Sequence, residues 1–156
     1  MISVLCPCYN EESSIMILYQ RVDSVMKNQN EDFKIIFVDD GSKDNTLKIL
    51  KSIASNDEHV KVIEFSRNFG REIALTALLD YSEGDAAVII DADLQQPPEI
   101  IHSMIKNGTM ALTSFTQKEL TEIQIRSYAD FLRAYSTGFI ILLQSRTLLK
   151  VLLNFA

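Results

Sequence analysis

The chain has 156 residues, of which 47% are hydrophobic and 23% charged, as expected for one globular domain with a buried core. Its net charge of −6 argues against a broad nucleic-acid-binding surface, although a metal ion can still supply positive charge at a local phosphate site. The N-terminus lacks the basic and apolar regions of a signal peptide, and no clean run of about 20 apolar residues predicts a transmembrane span.

Strand-like and helix-like apolar patterns alternate along the first two thirds of the chain. The predicted strands are residues 2–6, 33–38, 60–65 and 86–90, and the predicted helices are residues 12–26, 45–55 and 70–81. Pro97 and Pro98 open a fourth predicted helix. This order predicts an α/β fold with a mostly parallel sheet and helices on both faces. The carboxyl ends of the strands, where such sheets bind ligands, should meet at one edge.

The pattern changes near Asn107 and Gly108, and residues 109–156 contain no persuasive strand–helix–strand unit. We therefore divide the chain into an α/β domain at residues 1–106 and an atypical helical segment at residues 107–156. Two helices are predicted in that segment, at residues 117–135 and 139–155. The second is amphipathic, which suits either a packed terminal helix or a helix lying on a membrane surface.

Cys6 and Cys8 flank Pro7 at the end of the first predicted strand. Two cysteines do not complete a zinc site, and a disulfide between residues two positions apart is strained. We therefore predict two reduced thiols.

Asp91 and Asp93, separated by Ala92, directly follow the fourth predicted strand. Side chains two residues apart at a strand end can converge on one point, where two carboxylates repel each other unless a cation lies between them. Mg²⁺ and Mn²⁺ favour oxygen ligands and commonly bridge to phosphate oxygens. The pair therefore indicates a metal-assisted phosphate site, with two solvated acids in a turn as the alternative.

Polar loops also follow the first and second predicted strands. In the first, Asn10 suits a helix N-cap, and Tyr9 suits stacking on a nucleobase or packing on the next loop. In the second, Asp39 and Asp40 suit hydrogen bonds to a base or to ribose hydroxyls, while Asp44 suits the N-cap of the second helix.

The loop after the third predicted strand contains Arg67, Gly70 and Arg71. The arginines suit phosphate binding and Gly70 suits an anion site at a helix N-terminus, with a solvated basic turn as the alternative. Acids at Glu11, at Asp39 and Asp40, and at the Asp91 pair fall on one predicted edge. This coincidence favours a crevice for a metal and a nucleotide.

These loops resemble the inverting glycosyltransferases of the GT-A fold, and most closely the polyprenyl-phosphate sugar transferases. This group includes bactoprenol glucosyltransferases and dolichol-phosphate mannose synthases. The matching stretches are residues 7–12, 38–44, 66–70 and 91–99, which lie within residues 1–106.

The resemblance implies a nucleotide-sugar donor, UDP-linked by default and GDP-linked otherwise, with Mg²⁺ or Mn²⁺ as cofactor. It implies that Asp91 and Asp93 are catalytic and that the metal ligands are Asp91, Asp93 and Gln95. The residues predicted to contact the nucleotide are Pro7, Tyr9, Asn10, Glu11, Val38, Asp39, Asp40, Arg67, Gly70, Arg71 and Ala92. The implied acceptor is a polyprenyl phosphate, whose anionic oxygen would attack the anomeric carbon directly, with inversion and without a dedicated general base.

Beyond about Lys106 the chain departs from the family pattern, so the acceptor site cannot be placed. The alternatives are a transferase and a catalytically inactive remnant that binds the nucleotide sugar. A receiver domain and a D-x-D phosphohydrolase are disfavoured, because their acidic motifs follow the first strand. The resemblance implies a cytoplasmic protein at the inner membrane face. The amphipathic helix at residues 139–155 is compatible with peripheral membrane contact, and the net charge of −6 disfavours a nucleic-acid partner. The sequence leaves a homo-oligomer open.

Overall fold

Four strands alternate with three helices along the part of the chain that the computed structural model describes, which is residues 1–29, 31–84, 86–95, 97–99 and 101–102. The strands are β1 (Ile2–Cys8), β2 (Phe33–Asp39), β3 (Val60–Glu64) and β4 (Ala86–Ile89). The helices are α1 (Ile15–Lys27), α2 (Thr46–Asn56) and α3 (Arg71–Asp80). The predicted segment 107–156, with both of its helices, lies outside the described residues.

The four strands form one parallel sheet in the order β3-β2-β1-β4. The chain moves outward from β1 to β3 and then returns to the other side of β1. With right-handed crossovers, this reversal requires α1 and α2 on one face and α3 on the other. The packing agrees, because α3 contacts β1 and β2 through a separate set of buried residues. The predicted mostly parallel α/β sheet with helices on both faces is therefore confirmed.

Alternate residues of each central strand point to opposite faces of the sheet, as the pleat requires. Val4, Cys6 and Phe37 lie in the core under α1 and α2, whereas Leu5 and Ile36 lie in the core under α3. All five are at most 1% exposed. This two-sided burial explains why the strands read as continuous apolar runs.

The predicted N-cap of the first helix is wrong. The first helix begins at Ile15 with Ser14 at its N-cap, and Asn10 has a left-handed φ of 57°, so Asn10 is not the cap. In the third helix Ile73 is 51% exposed, whereas Ala74 and Leu75 are buried. The short apolar run from Ile73 to Leu75 would allow α3 to bury either the face that carries Ile73 or the adjacent face that carries Leu75. Packing on β1 and β2 buries the face that carries Leu75.

Cys6 and Cys8 are free thiols, as predicted, and both are buried with their sulfur atoms 3.8 Å apart. Burial raises the pKa of the Cys6 thiol well above its usual value, and the neighbouring Cys8, Asp91 and Glu11 raise it further. The Cys6 thiol is therefore protonated at neutral pH. In the described ranges, no helix has the length and apolar character needed to cross a membrane.

Candidate functional site

The sheet reverses its direction of growth between β1 and β4, which are neighbouring parallel strands. Open α/β sheets bind ligands at such a switch point, beyond the carboxyl ends of the strands. A crevice of about 330 Å³ opens at this position. It is lined by Pro7, Cys8, Tyr9, Glu11, Asp40, Asn68, Gly70, Arg71, Ala74, Asp91, Ala92 and Asp93.

Most of the site residues predicted from the sequence line this crevice. Those brought together are Pro7, Tyr9, Glu11, Asp40, Gly70, Arg71, Asp91, Ala92 and Asp93. The predicted residues outside the lining are Asn10, Val38, Asp39, Arg67 and Gln95. Three lining residues were not predicted, namely Cys8, Asn68 and Ala74. The position of Cys8 at the end of β1 and of Asn68 in the loop before α3 offered a signal for two of them.

The loops after β1 and β2 are braced against each other by hydrogen bonds. Asn10 Oδ1 accepts from the Lys43 N–H at 2.8 Å, and the Asn10 N–H donates to Ser42 Oγ at 2.9 Å. Glu12 Oε2 accepts from the backbone and side-chain nitrogens of Asn45, both at 2.9 Å. Asn10 therefore acts as a bridge between loops, which accounts for its placement outside the crevice.

Asp44 closes the start of α2. Its Oδ1 accepts from the Thr46 N–H at 2.9 Å and from the Thr46 hydroxyl at 2.5 Å, and its Oδ2 accepts from the Glu12 N–H at 3.2 Å. Partial desolvation opposes ionisation, but these hydrogen bonds lower the net pKa of the Asp44 carboxyl. Asp44 therefore accepts the hydrogen bond that caps α2, as predicted. The N-cap position itself is occupied by Asn45, whose side chain makes no cap hydrogen bond.

We expect Asp44→Ala to lower the free energy of unfolding by about 1 kcal/mol, because the first turn of α2 loses its acceptor. Asn45→Ala, the matched control, should cost less. Because the native pKa is lowered, the Asp44 contribution is present above the unfolded pKa of about 4 and is lost as the pH falls through the native pKa. Urea denaturation at pH 7 and pH 3 measures both effects. Equal costs for the two variants at pH 7 would contradict this assignment.

Asp40 holds the loop that precedes α3. Its Oδ1 accepts from the Phe69 N–H at 2.7 Å and its Oδ2 accepts from the Gly70 N–H at 3.0 Å, while its side chain is almost fully buried. Two backbone amides of this loop therefore share the Asp40 side chain as their acceptor. Asp40 thereby fixes Gly70, which has a φ of 97°, at the N-cap of α3.

Asp40→Ala should lower the free energy of unfolding by about 2 kcal/mol, because two half-buried amides lose a charged acceptor. Asp40→Asn keeps one acceptor oxygen and should lose roughly half as much. Guanidinium denaturation followed by circular dichroism gives both values. If Asp40→Ala left stability unchanged, its contacts with Phe69 and Gly70 would have no structural weight, and a role limited to ligand binding would be favoured.

Three residues predicted to bind the nucleotide lie outside the lining of the crevice. The Arg67 guanidinium lies over the Phe69 ring, 4.6 Å from its centroid. Val38 is completely buried among the residues under α3. Asp39 is also completely buried; its Oδ2 accepts from the Ser42 N–H at 3.1 Å, and its Oδ1 has no partner among the described residues. A buried acceptor without a donor is costly, so Asp39 Oδ1 is suited to an N–H or O–H group of a ligand.

The loop after β4 carries the two acids of the D-x-D pattern. Asp91 pairs with Arg71, whose Nη2 lies 2.9 Å from Oδ1 and 2.7 Å from Oδ2. Asp93 is exposed, and its Oδ1 accepts from the Gln95 N–H at 3.0 Å. This hydrogen bond joins the residues on either side of Leu94, which has a left-handed φ of 60°. Gln95 therefore contributes its backbone to the shape of the loop.

The donor set of this loop fits a divalent cation only in part. No group of three or more histidine, cysteine or acidic side chains in the described portion is arranged to hold a metal. Asp91 and Asp93 nevertheless line the same crevice. Mg²⁺ is usually bound by one or two carboxylates together with substrate phosphates. The residues present therefore fit a metal that is held jointly by this loop and a diphosphate.

A parallel sheet with a switch-point crevice at the carboxyl ends of its strands defines an open-sheet α/β protein, a class that binds its ligands at such a crevice. Comparison with known proteins narrows this class. Residues 3–109 match the family model described as Glycosyl transferase family 2. The chain therefore belongs to glycosyl transferase family 2, and the family predicted from the sequence is confirmed.

Two curated relatives illustrate the likeness. The chain is 51% identical over 104 residues to the uncharacterized glycosyltransferase YkcC of Bacillus subtilis (strain 168), which covers 67% of this chain and 32% of the relative. It is 42% identical over 105 residues to the bactoprenol glucosyl transferase of Shigella phage SfV, and this alignment covers 67% of this chain and 34% of the relative. The chain thus spans about a third of the length of these relatives.

Solved structures support the same fold. S. aureus TarS in complex with UDP-GlcNAc superimposes with a TM-score of 0.55 at 24% identity, covering 74% of this chain and 32% of TarS. Glucosyl-3-phosphoglycerate synthase of Mycobacterium tuberculosis, solved with Mn²⁺, UDP and phosphoglyceric acid, gives a TM-score of 0.54 at 25% identity. That match covers 69% of this chain and 38% of the synthase. The predicted GT-A type of α/β fold is confirmed.

Proposed function

We propose that this chain forms the donor-binding part of a metal-dependent glycosyltransferase that moves a sugar from a nucleoside diphosphate to a polyprenyl phosphate. The observation that carries the proposal is the convergence of Asp91, Asp93 and the N-terminus of α3 on one switch-point crevice, in a chain of glycosyl transferase family 2. UDP is the favoured nucleotide. The bactoprenol glucosyl transferase relatives favour a polyprenyl phosphate as acceptor.

The nucleoside is assigned to the side of the crevice formed by the loops after β1 and β2. Tyr9 is 40% exposed and lines the crevice, so its ring is available to stack on a base. Asp39 supplies a buried acceptor oxygen without a partner among the described residues, which suits an N–H group of the base or a ribose hydroxyl. The bracing of these two loops favours a site formed before the ligand arrives.

The diphosphate is assigned to the other side, between Arg71 and the Asp91–Asp93 loop. Asp91 and Asp93, with Gln95 as a further predicted ligand, would hold Mg²⁺ or Mn²⁺ there. The metal would supply positive charge against the leaving nucleoside diphosphate. The chain's own part is to orient the donor so that its anomeric carbon faces the incoming phosphate oxygen.

Transfer would proceed by direct displacement with inversion. The acceptor phosphate oxygen is already anionic, so it forms the new bond to the anomeric carbon while the bond to the nucleoside diphosphate breaks. No proton has to be removed from the acceptor. A polyprenyl phosphate is anchored in a membrane, so we propose a cytoplasmic protein at the inner membrane face, in peripheral contact with the lipid.

A calorimetric screen of the 156-residue polypeptide tests donor binding. We expect UDP and UDP-glucose to bind in the presence of Mn²⁺ and to bind more weakly after chelation with EDTA. GDP and GDP-mannose test the second base, and ADP serves as the control nucleotide. A chain that binds none of the uridine or guanosine nucleotides, with or without Mn²⁺, would refute the donor site.

A transfer assay separates the transferase from the second candidate, a protein that binds the nucleotide sugar without transferring it. The chain is incubated with UDP-glucose and undecaprenyl phosphate in detergent, and the lipid-linked sugar is measured. Metal-dependent product favours the transferase. Donor binding without product favours the second candidate for this polypeptide, which spans about a third of the length of its relatives.

A further inference from the structure

Arg71 occupies an unusual position, because it is the first residue of α3. The positive end of a helix dipole disfavours a cation there and favours an anion. The structure places an anion beside it, because both carboxylate oxygens of Asp91 lie within 2.9 Å of one guanidinium nitrogen. These are the same oxygens that a divalent cation would use.

We propose that Arg71 is a positioning residue that exchanges partners when the donor binds. In the donor-free protein its guanidinium pairs with Asp91. In the loaded protein the guanidinium contacts the diphosphate, and the Asp91 carboxylate is released to the metal. This inference rests on the proposed function, and it adds that metal binding and nucleotide binding depend on each other through one side chain.

The surroundings of the ion pair allow such an exchange. Arg71 and Asp91 line the same crevice, so the guanidinium can reach a ligand there without movement of the helix. The Arg71 side chain is 54% exposed and that of Asp91 is 29% exposed. An ion pair at this exposure is weak, so a divalent cation together with a diphosphate can displace it. A guanidinium also suits phosphate as well as it suits carboxylate.

The exchange has a thermodynamic consequence that is reciprocal. A metal ion that takes Asp91 releases Arg71 for the phosphates, and a diphosphate that takes Arg71 releases Asp91 for the metal. Each ligand therefore raises the affinity for the other by the same factor. The part of this factor that comes from Arg71 should be lost when Arg71 is substituted. The part that comes from direct contact between the metal and the diphosphate should be kept.

The test uses Arg71→Met in the full chain, with Mn²⁺ binding followed by electron paramagnetic resonance and UDP binding by calorimetry. Without nucleotide, we expect the variant to bind Mn²⁺ about three- to tenfold more tightly than wild type, because the Arg71 guanidinium no longer competes with the metal for Asp91. With Mn²⁺ present, UDP should bind about three- to tenfold more weakly. Lys27→Met is the matched control, since it removes one charge from an ion pair with Asp23 on α1.

These outcomes decide between exchange and a purely structural role. Equal Mn²⁺ affinity in wild type and Arg71→Met without nucleotide, or no measurable Mn²⁺ binding in either, would overturn the exchange. Arg71→Gln, which keeps hydrogen-bond donors but lacks the charge, should reproduce the tighter Mn²⁺ binding if the exchange is correct. Failure of wild type to bind UDP with Mn²⁺ is a separate result, which would overturn the proposed function and the exchange with it.

Discussion

Asp93→Asn is expected to weaken Mn²⁺-dependent binding of UDP by about 100-fold, which corresponds to about 2.7 kcal/mol. The substitution keeps the shape of the side chain and removes its negative charge. Asp93 Oδ1 accepts the Gln95 N–H, which an amide oxygen can also do, so the loop should keep its form. The loss therefore reports the contact between carboxylate and metal.

Calorimetry with and without Mn²⁺ separates this effect from a loss of nucleotide contacts. Binding without metal should change little in Asp93→Asn. Asp80→Asn, at the exposed C-terminal end of α3, is the matched control for the charge and should behave as wild type. Unchanged Mn²⁺-dependent affinity in both Asp93→Asn and Asp91→Asn would show that the metal does not bind at this loop.

Gly41→Ala is expected to lower the free energy of unfolding by about 3 kcal/mol or more, which combines backbone strain with steric overlap. Gly41 has a φ of 68°. A Cβ atom at this position would lie 2.4 Å from the carbonyl carbon of Arg67 and 2.6 Å from the nitrogen of Asn68. Both are backbone atoms, so a side-chain rotation cannot relieve the overlap.

Gly70→Ala is the control that isolates backbone strain. Gly70 also has a positive φ, of 97°, but a Cβ atom there would meet nothing within 4 Å. We expect this variant to lose about 1–3 kcal/mol, which is the cost of strain alone. Guanidinium denaturation of both variants measures the difference. A smaller loss in Gly41→Ala than in Gly70→Ala would mean that the loop around Arg67 moves aside at little cost.

The sheet and its order of elements were predictable because burial on both faces leaves a clear sequence signal. Apolar runs such as residues 86–90 lack the alternation of apolar and polar residues that a half-exposed strand shows. The segments between these runs have the apolar periodicity of helices. Helix starts were less predictable. Asn10 has the chemistry of an N-cap, but its partner is Lys43, which is 33 residues away in the sequence. Tertiary hydrogen bonds of this kind leave no local pattern.

The candidate site was predictable to the extent that it depends on strand ends. Glu11, Asp91 and Asp93 follow strands that the sequence defines, and all three line the crevice. Adjacent residues were harder to separate. Asp39 and Asp40 have the same chemistry, yet Asp40 holds two backbone amides and Asp39 keeps an oxygen without a described partner. Which of two neighbours faces the next loop is decided by packing between loops.

The brace between the loops after β1 and β2 has a consequence for motion. The N–H groups of Asn10, Glu11 and Glu12 each donate to a side chain of the opposite loop, namely Ser42, Thr46 and Asp44. The Lys43 and Asn45 N–H groups donate in the reverse direction. None of these amides can open without breaking contacts that span both loops, so their deuterium uptake should follow a single rate.

Two loops that open only together also influence the kinetics of ligand binding. If the two braced loops keep their arrangement on the timescale of encounter, the observed association rate should rise linearly with ligand concentration. A preceding loop rearrangement would instead produce a plateau. Any slow step after encounter would then come from the Asp91–Asp93 side. The two ends of one donor molecule would thus be captured at different speeds, with the nucleoside end docking first.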